Sequence, residues 1–263
     1  MVGERMNILE IKNLTKRFAG LVAVNDLSFE MPERSIHALI GPNGSGKTTT
    51  INMIDGVFAP SEGQIYFNGS DITGKSTHEI SRLGLGRTFQ NIKLFNSLTV
   101  EENLMVGGHM SYAKNGIMRF FFDFPGAKRE EATLKEAAGR VLEFMHLEGI
   151  ARRQVGGLPY GMLKMVELAR TMMTDPKLIL LDEPAAGLNP SERRELIDIL
   201  VRIFDSGVDL FLIEHNMDVV MNISHKITVI NFGSKIAEGA PAEIQNNPEV
   251  IRAYLGDRYS VKA

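Results

Sequence analysis

The stretch Gly41-Pro42-Asn43-Gly44-Ser45-Gly46-Lys47-Thr48-Thr49 has the spacing G-x-x-x-x-G-K-[ST] of a phosphate-binding loop. Each residue type answers a requirement of anion binding. Glycine lets the backbone turn with its N–H groups inward, and a side chain at Gly44 or Gly46 would crowd a phosphate held there. Lys47 reaches the outer phosphates as a point charge, the Thr48 hydroxyl is placed to ligate Mg²⁺, and Thr49 adds a hydroxyl toward the inner phosphates. The flanks agree: the apolar run 35–40 reads as a strand entering the loop, and 48–54 as the helix leaving it. That strand–loop–helix order separates a nucleotide site from a flexible Gly/Ser loop.

Composition narrows the class of protein. The chain has 263 residues, 44% hydrophobic and 23% charged, which is ordinary for a soluble globular protein. A formal net charge of −3 gives no basic excess of the kind that tracks a nucleic-acid backbone, so no nucleic-acid partner is expected. With no cysteine, disulfides and thiolate metal sites are excluded. No run approaches the ~18 apolar residues of a membrane span, so any membrane association is expected to be peripheral and to run through a partner. Met6 opens the first strand, and residues 1–5 read either as an extension ahead of it or as the result of a misplaced start.

Working outward, residues 8–12 and 22–29 alternate apolar and polar in the manner of half-buried antiparallel strands. Phe18, the one aromatic in the basic turn Lys16-Arg17-Phe18, reads either as a ring closing the small core or as a platform for an adenine. Next to a phosphate loop the second reading is favoured. Residues 64–67 form another short strand, and 86–90 read as a strand ending in Gln90. Asp71-Ile72-Thr73-Gly74 has the D-x-x-G pattern of GTPases, but no N-K-x-D guanine motif occurs, which favours adenine. Helical spacing then dominates, with helices expected over 100–106, 127–147 and 162–173; the aromatic run 119–125 reads as packing between them or as a docking patch.

Leu178-Ile179-Leu180-Leu181-Asp182-Glu183 is a continuous apolar strand that ends in two carboxylates. Such strands are buried on both faces of parallel sheets, and ligands sit at their carboxyl ends. Asp182 suits Mg²⁺, and Glu183 suits the abstraction of a proton from an attacking water. Strand 209–213 likewise ends at Glu214 and His215, which directs His215 toward the terminal phosphate.

Taken in order, the loop at 41–49, Gln90, Leu158-Pro159-Tyr160-Gly161-Met162, Asp182-Glu183-Pro184 and His215 resemble the nucleotide-binding subunit of ABC transporters over essentially the whole chain. The resemblance implies a P-loop NTPase (RecA-like) core with an antiparallel β subdomain and an inserted helical subdomain. Residues 6–263 would form one ATP-binding domain, with 6–92 and 171–263 as core and 93–170 as the helical insert. It implies ATP and Mg²⁺ as ligands, with Phe18 on the adenine. Gln90, as a Mg²⁺ ligand beside Thr48 and Asp182, would link the metal and attacking water to a permease. Two subunits would pair head to tail, the signature 158–162 of each meeting the other's ATP and Gly187-Leu188-Asn189 crossing the interface. The usual signature Leu-Ser-Gly-Gly-Gln is altered: Pro159 removes a hydroxyl and an N–H.

A finer resemblance rests on Arg87-Thr88-Phe89-Gln90, on residues 185–190 and 213–217, and on 247–256, words similar to those of the ATPases of high-affinity branched-chain amino acid importers. Partners implied are integral membrane permeases, a second ATPase subunit and, indirectly, a solute-binding protein outside the membrane, with this chain on the cytoplasmic face. Related ATPases for urea, short amides or lipopolysaccharide export share many of these words. A small-molecule kinase would need an acceptor pocket and an arginine-rich lid; a soluble ABC protein of repair or translation would carry coiled coils or tandem cassettes.

Overall fold

The structure, a computed structural model, describes residues 6–88, 92–112 and 124–255. Residues 1–5, Phe89, Gln90, the aromatic run 119–123 and Gly256 lie outside the described residues. Two sheets carry the fold. β1 (Asn7–Phe18) and β2 (Leu21–Pro32) form a hairpin, and with β4 (Glu62–Phe67) and β5 (Ser70–Asp71) they make an antiparallel sheet of order β2-β1-β4-β5. The second sheet has order β10-β9-β3-β8-β7-β6 and is built from β3 (Ile36–Ile40), β6 (Leu85–Arg87), β7 (Leu178–Asp182), β8 (Asp209–Ile213), β9 (Lys226–Asn231) and β10 (Ser234–Gly239). Every pairing in it is parallel except β10 with β9.

The parallel strands read as unbroken apolar runs because both faces are covered; all five residues of β3, β7 and β8 are buried. Period-two alternation sorts them between two cores. Ile36, Ala38, Ile40, Ile179, Leu181, Leu210 and Leu212 face the helices, while Leu39, Leu178, Leu180, Phe211 and Ile213 face Leu9, Ile11, Leu27 and Phe67 of the antiparallel sheet. Burying each of the Leu, Ile and Phe side chains among them contributes about 1.5–3 kcal/mol.

Around the sheets lie α1 (Lys47–Ile54), α2 (Thr77–Arg82), α6 (Pro190–Asp205), α7 (Met217–Ile223), α8 (Pro241–Gln245) and α9 (Pro248–Leu255). A helical layer of α3 (Val100–Tyr112), α4 (Phe124–Met145) and α5 (Tyr160–Met172) shares the helix-side core through Val100, Leu104, Leu142 and Val166. Helix α3 runs past the expected end at residue 106. The glycines there are where the helical pattern stops, yet a Cβ on Gly107 would lie 2.7 Å from the Arg170 carbonyl oxygen, so close packing on α5 uses the glycine inside a helix.

Of the strand expected over 86–90, the described part is strand over Leu85–Arg87; its last rung is Arg87 with Leu180, and Thr88 adds one bond from its N–H to the Leu180 carbonyl, 3.0 Å. The remainder, Phe89 and Gln90, lies outside the described residues.

His37 sits at the centre of this packing. It is fully buried between Phe29 and Phe211, ring centroids 5.3 and 5.7 Å away, with Nε2 2.9 Å from Thr228 Oγ1. Burial, with help from the charge of Lys226, pushes its pKa down from 6.5 to about 3. Below pH 6.5 the unfolded chain takes up a proton that the native imidazole refuses, so this group's stability is full above 6.5 and is lost as pH falls toward 3. We expect the urea-unfolding free energy of the wild type to drop by roughly 2 kcal/mol more than that of His37→Leu between pH ~7.5 and pH ~5. Equal losses in the two proteins would show that His37 is not the group responsible.

Candidate nucleotide-binding and hydrolysis site

The loop at 41–49 lies between two backbones. A Cβ on Gly46, whose φ is 104°, would lie 2.5 Å from the Ala23 carbonyl oxygen of β2, and one on Gly41 would lie 2.1 Å from the Ile230 carbonyl oxygen of β9. Glycine at 46 is thus demanded by the neighbouring strand, not only by a phosphate, whereas a Cβ on Gly44 would meet nothing within 4 Å. The β9–β10 turn is stitched on as well: Gly233 N–H donates to the Ser45 carbonyl at 3.0 Å.

Helix α1 starts without a side-chain cap, and its first internal bond is Thr50 N–H to the Gly46 carbonyl, 2.9 Å. The amides ahead of Thr50 therefore have no partner within the helix. Ser45 Oγ is buried and unpartnered. Lys47, 8% exposed, donates to the carbonyls of Gly41 (2.8 Å) and Pro42 (3.0 Å). Burial draws its pKa below the ordinary lysine value, and the charges of Glu183 and Asp182 oppose that shift. Unpaired amides, an orphaned hydroxyl and a cation on one turn fit a phosphate chain. A cleft of about 300 Å³ runs from this turn, Thr48 and Thr49 to Leu21, Val22, Ala23 and Phe232.

The ends of β3, β7 and β8 meet at one edge of the sheet, since β8 pairs with both β3 and β7. Asp182, the last residue of β7, is buried; burial raises its pKa and a hydrogen bond from Arg87 holds it back. Arg87 bridges Asp182 Oδ2 (3.0 Å) and Asp55 Oδ2 (3.1 Å). Glu183 follows in a left-handed conformation, φ 50°, with its N–H on the Ile213 carbonyl at 2.9 Å. Such backbone costs on the order of 1–3 kcal/mol and turns the side chain away from the strand direction. His215 Nδ1 lies 3.8 Å from Glu183 Oε2. The hydroxyl of Thr48 and the carboxylate of Asp182 supply few oxygens, which suits Mg²⁺, an ion that keeps several waters. Among the described residues there is no cluster of three His, Asp or Glu that would suit another metal.

The other sequence-derived positions fall around this centre. Phe18 is 42% exposed at the β1–β2 turn, opposite Leu21, with its ring edge-on to Phe58 at 5.4 Å and under Lys16. Pro159 is the N-cap of α5; Leu158 is buried, while Tyr160 and Met162 are exposed. Gly161 is faced by Glu192, whose Oε1 is 2.7 Å from where a Cβ would stand. Asn189 caps α6, accepting from Ser191 N–H at 2.8 Å, and Tyr160 packs over Gly187, next to the buried Leu188. Gln90 lies outside the described residues.

Three residues at the site were given no role by the sequence reading. Glu214, fully buried, accepts from the amides of Ala185 (2.7 Å), His215 (2.9 Å) and Asn216 (2.9 Å), fixing the loop after Glu183 to the end of β8. Lys164 of α5 is 6% exposed and donates to the Glu183 carbonyl at 3.3 Å. Asp55 ends α1 as the partner of Arg87. A charged residue inside an apolar pattern was the available signal for Lys164 and Glu214.

Residues 24–186 match the family model described as ABC transporter, and residues 234–260 match a model described as branched-chain amino acid ATP-binding cassette transporter. The chain is 43% identical over 251 residues to the high-affinity branched-chain amino acid transport ATP-binding protein BraF of Pseudomonas aeruginosa, covering 95% of this chain and 98% of that one. Identity to the corresponding protein LivG of Escherichia coli is 41% over 251 residues, with the same coverage. Among solved structures, a nucleotide-free ATP-binding cassette from an ABC transporter superimposes with a TM-score of 0.83 at 35% identity, covering 96% of this chain and all of that one. The ADP conformation of an ATP-binding cassette of an ABC transporter does so with a TM-score of 0.83 at 33% identity, over 96% of this chain and all of that one. With the site geometry, these likenesses settle the family: the chain belongs to the ABC transporters, as one of their ATPase cassettes.

Proposed function

We propose that this cassette powers the import of branched-chain amino acids through separate membrane permeases, from the cytoplasmic face and paired with a second cassette. Support for the cargo comes from the extent of the likeness, 95% of the chain, to relatives named for that transport. Support for hydrolysis comes from the meeting of Lys47, Asp182, Glu183 and His215 at one sheet edge. Among the described residues no helix is long and apolar enough to cross a membrane. A solute-binding protein outside the membrane would act on it only through the permeases.

In this reading the amides of 41–49 and Lys47 hold the ATP phosphates, and Phe18 offers its exposed ring to the adenine. Thr48 and Asp182, with Gln90, would hold Mg²⁺, which neutralises charge on the phosphoryl group as it transfers. Lys47 must leave the Gly41 and Pro42 carbonyls to do its part, and a charged phosphate is the stronger acceptor. Glu183 accepts the proton of the attacking water, its carboxylate aimed by the left-handed backbone and by His215. The segment 158–162 would present the uncapped start of α5 to the partner's phosphates, with 187–189 crossing beside it. Glu192, now in front of Gly161, would have to move aside for an anion there.

Glu183→Gln should keep Mg·ATP affinity and lower turnover by ~10²–10⁴-fold, because an amide cannot accept the proton; turnover at the wild-type rate would remove Glu183 from the mechanism. For the cargo, the wild-type chain should restore radiolabelled leucine uptake to cells lacking it, and Glu183→Gln should not. ATPase activity without restored leucine uptake would overturn the cargo assignment while leaving the hydrolytic one intact.

A further inference from the structure

We propose that Arg87 is a positioning residue for Asp182, and that the Asp55–Arg87–Asp182 bridge sets the Mg²⁺ requirement of the site. This rests on the reading of Asp182 as a Mg²⁺ ligand. All three side chains are nearly inaccessible, 7% exposed for Arg87 and 5% for each carboxylate. The two terminal nitrogens of the guanidinium are divided between the carboxylates: Nη1 to Asp55 Oδ2 at 3.1 Å and Nη2 to Asp182 Oδ2 at 3.0 Å. A planar fork fixed at both ends cannot swing, so it holds one named oxygen of Asp182 and leaves Oδ1 as the oxygen available to a cation.

The bridge also joins the right elements. Asp55 ends α1, the helix whose first turn carries Lys47 and Thr48; Arg87 ends β6; Asp182 ends β7. Two of the protein oxygens assigned to the cation, on Thr48 and Asp182, come from different elements, and Arg87 ties those elements together. Losing a partner that orients a metal ligand typically costs 10–100-fold in metal affinity.

A single substitution of Arg87 would confuse orientation with charge, because it strands two buried carboxylates that attract a cation unaided. Replacing Arg87→Gln together with Asp55→Asn removes one positive and one negative charge and keeps the local sum. In this double variant the Mg²⁺ concentration that half-saturates ATP hydrolysis should rise roughly 10–100-fold. The rate at saturating Mg²⁺ should change far less, and ATP affinity in EDTA should stay as in the wild type. Half-saturation within about twofold of the wild type would overturn the proposal, since a merely structural bridge would lower thermal stability without moving the Mg²⁺ requirement. Should the double variant not fold, Arg87→Lys keeps the charge but reaches one carboxylate at a time. It should raise half-saturation several-fold, and an unchanged value would be equally fatal. Asp182→Asn run in parallel separates the two readings: if it leaves the Mg²⁺ requirement untouched, the ligand assignment fails. If Asp182→Asn shifts the requirement and the Arg87 variants do not, only the positioning role fails.

Discussion

The approach of the phosphate loop to two backbone carbonyls, Ala23 O on one side and Ile230 O on the other, is the constraint from which the site follows. A Cβ at residue 46 or 41 would force a strand to move, so the loop's path is set by both sheets at once. The antiparallel sheet therefore serves as one wall of the mould. Bonds from Gly233 N–H to the Ser45 carbonyl and from Asn25 N–H to the Gly233 carbonyl close it. Once the loop is fixed, α1 must start at Lys47, and its uncapped amides open toward the edge where β7 and β8 end.

Charge at that edge is dense and mostly buried. Lys47, Arg87 and Lys164 surround Asp55, Asp182 and Glu183, with Glu214 beneath them. Buried charges are tolerated when they are paired and hydrogen-bonded, and here the partners differ. Glu214 takes three backbone amides, Asp55 and Asp182 share one guanidinium, and Lys47 and Lys164 rest on carbonyls. The carbonyl contacts of Lys47 are weaker than the ion pairs of Arg87, because a neutral acceptor binds a cation less strongly than a charged one. They are the contacts that a phosphate would replace.

Much of this was legible in the sequence because it is local. The loop at 41–49 and the apolar strands ending at Asp182 and Ile213 carry their own patterns, and the fold class followed from their order. What was not legible depends on distant partners. Arg87 meets Asp182 across 95 positions of chain, and neither position alone announces the other. Gly107 and Gly108 read as the end of a helix until the packing of Gly107 on Arg170 is known. The tyrosine and methionine of the altered signature, Tyr160 and Met162, are exposed, but that Glu192 stands before Gly161 depends on the capping of α6, two elements further along.

The account places one cation, Lys47, between its own loop and the phosphates of ATP, and its affinity is the most direct test. In Mg²⁺ buffer, Lys47→Ala should bind ATP at least about tenfold more weakly than the wild type, since a hydrogen bond to a charged group is worth ~1.5–3 kcal/mol. Unchanged ATP affinity would contradict the assignment of residues 41–49 as the phosphate site, and with it the mechanism built on that edge of the sheet.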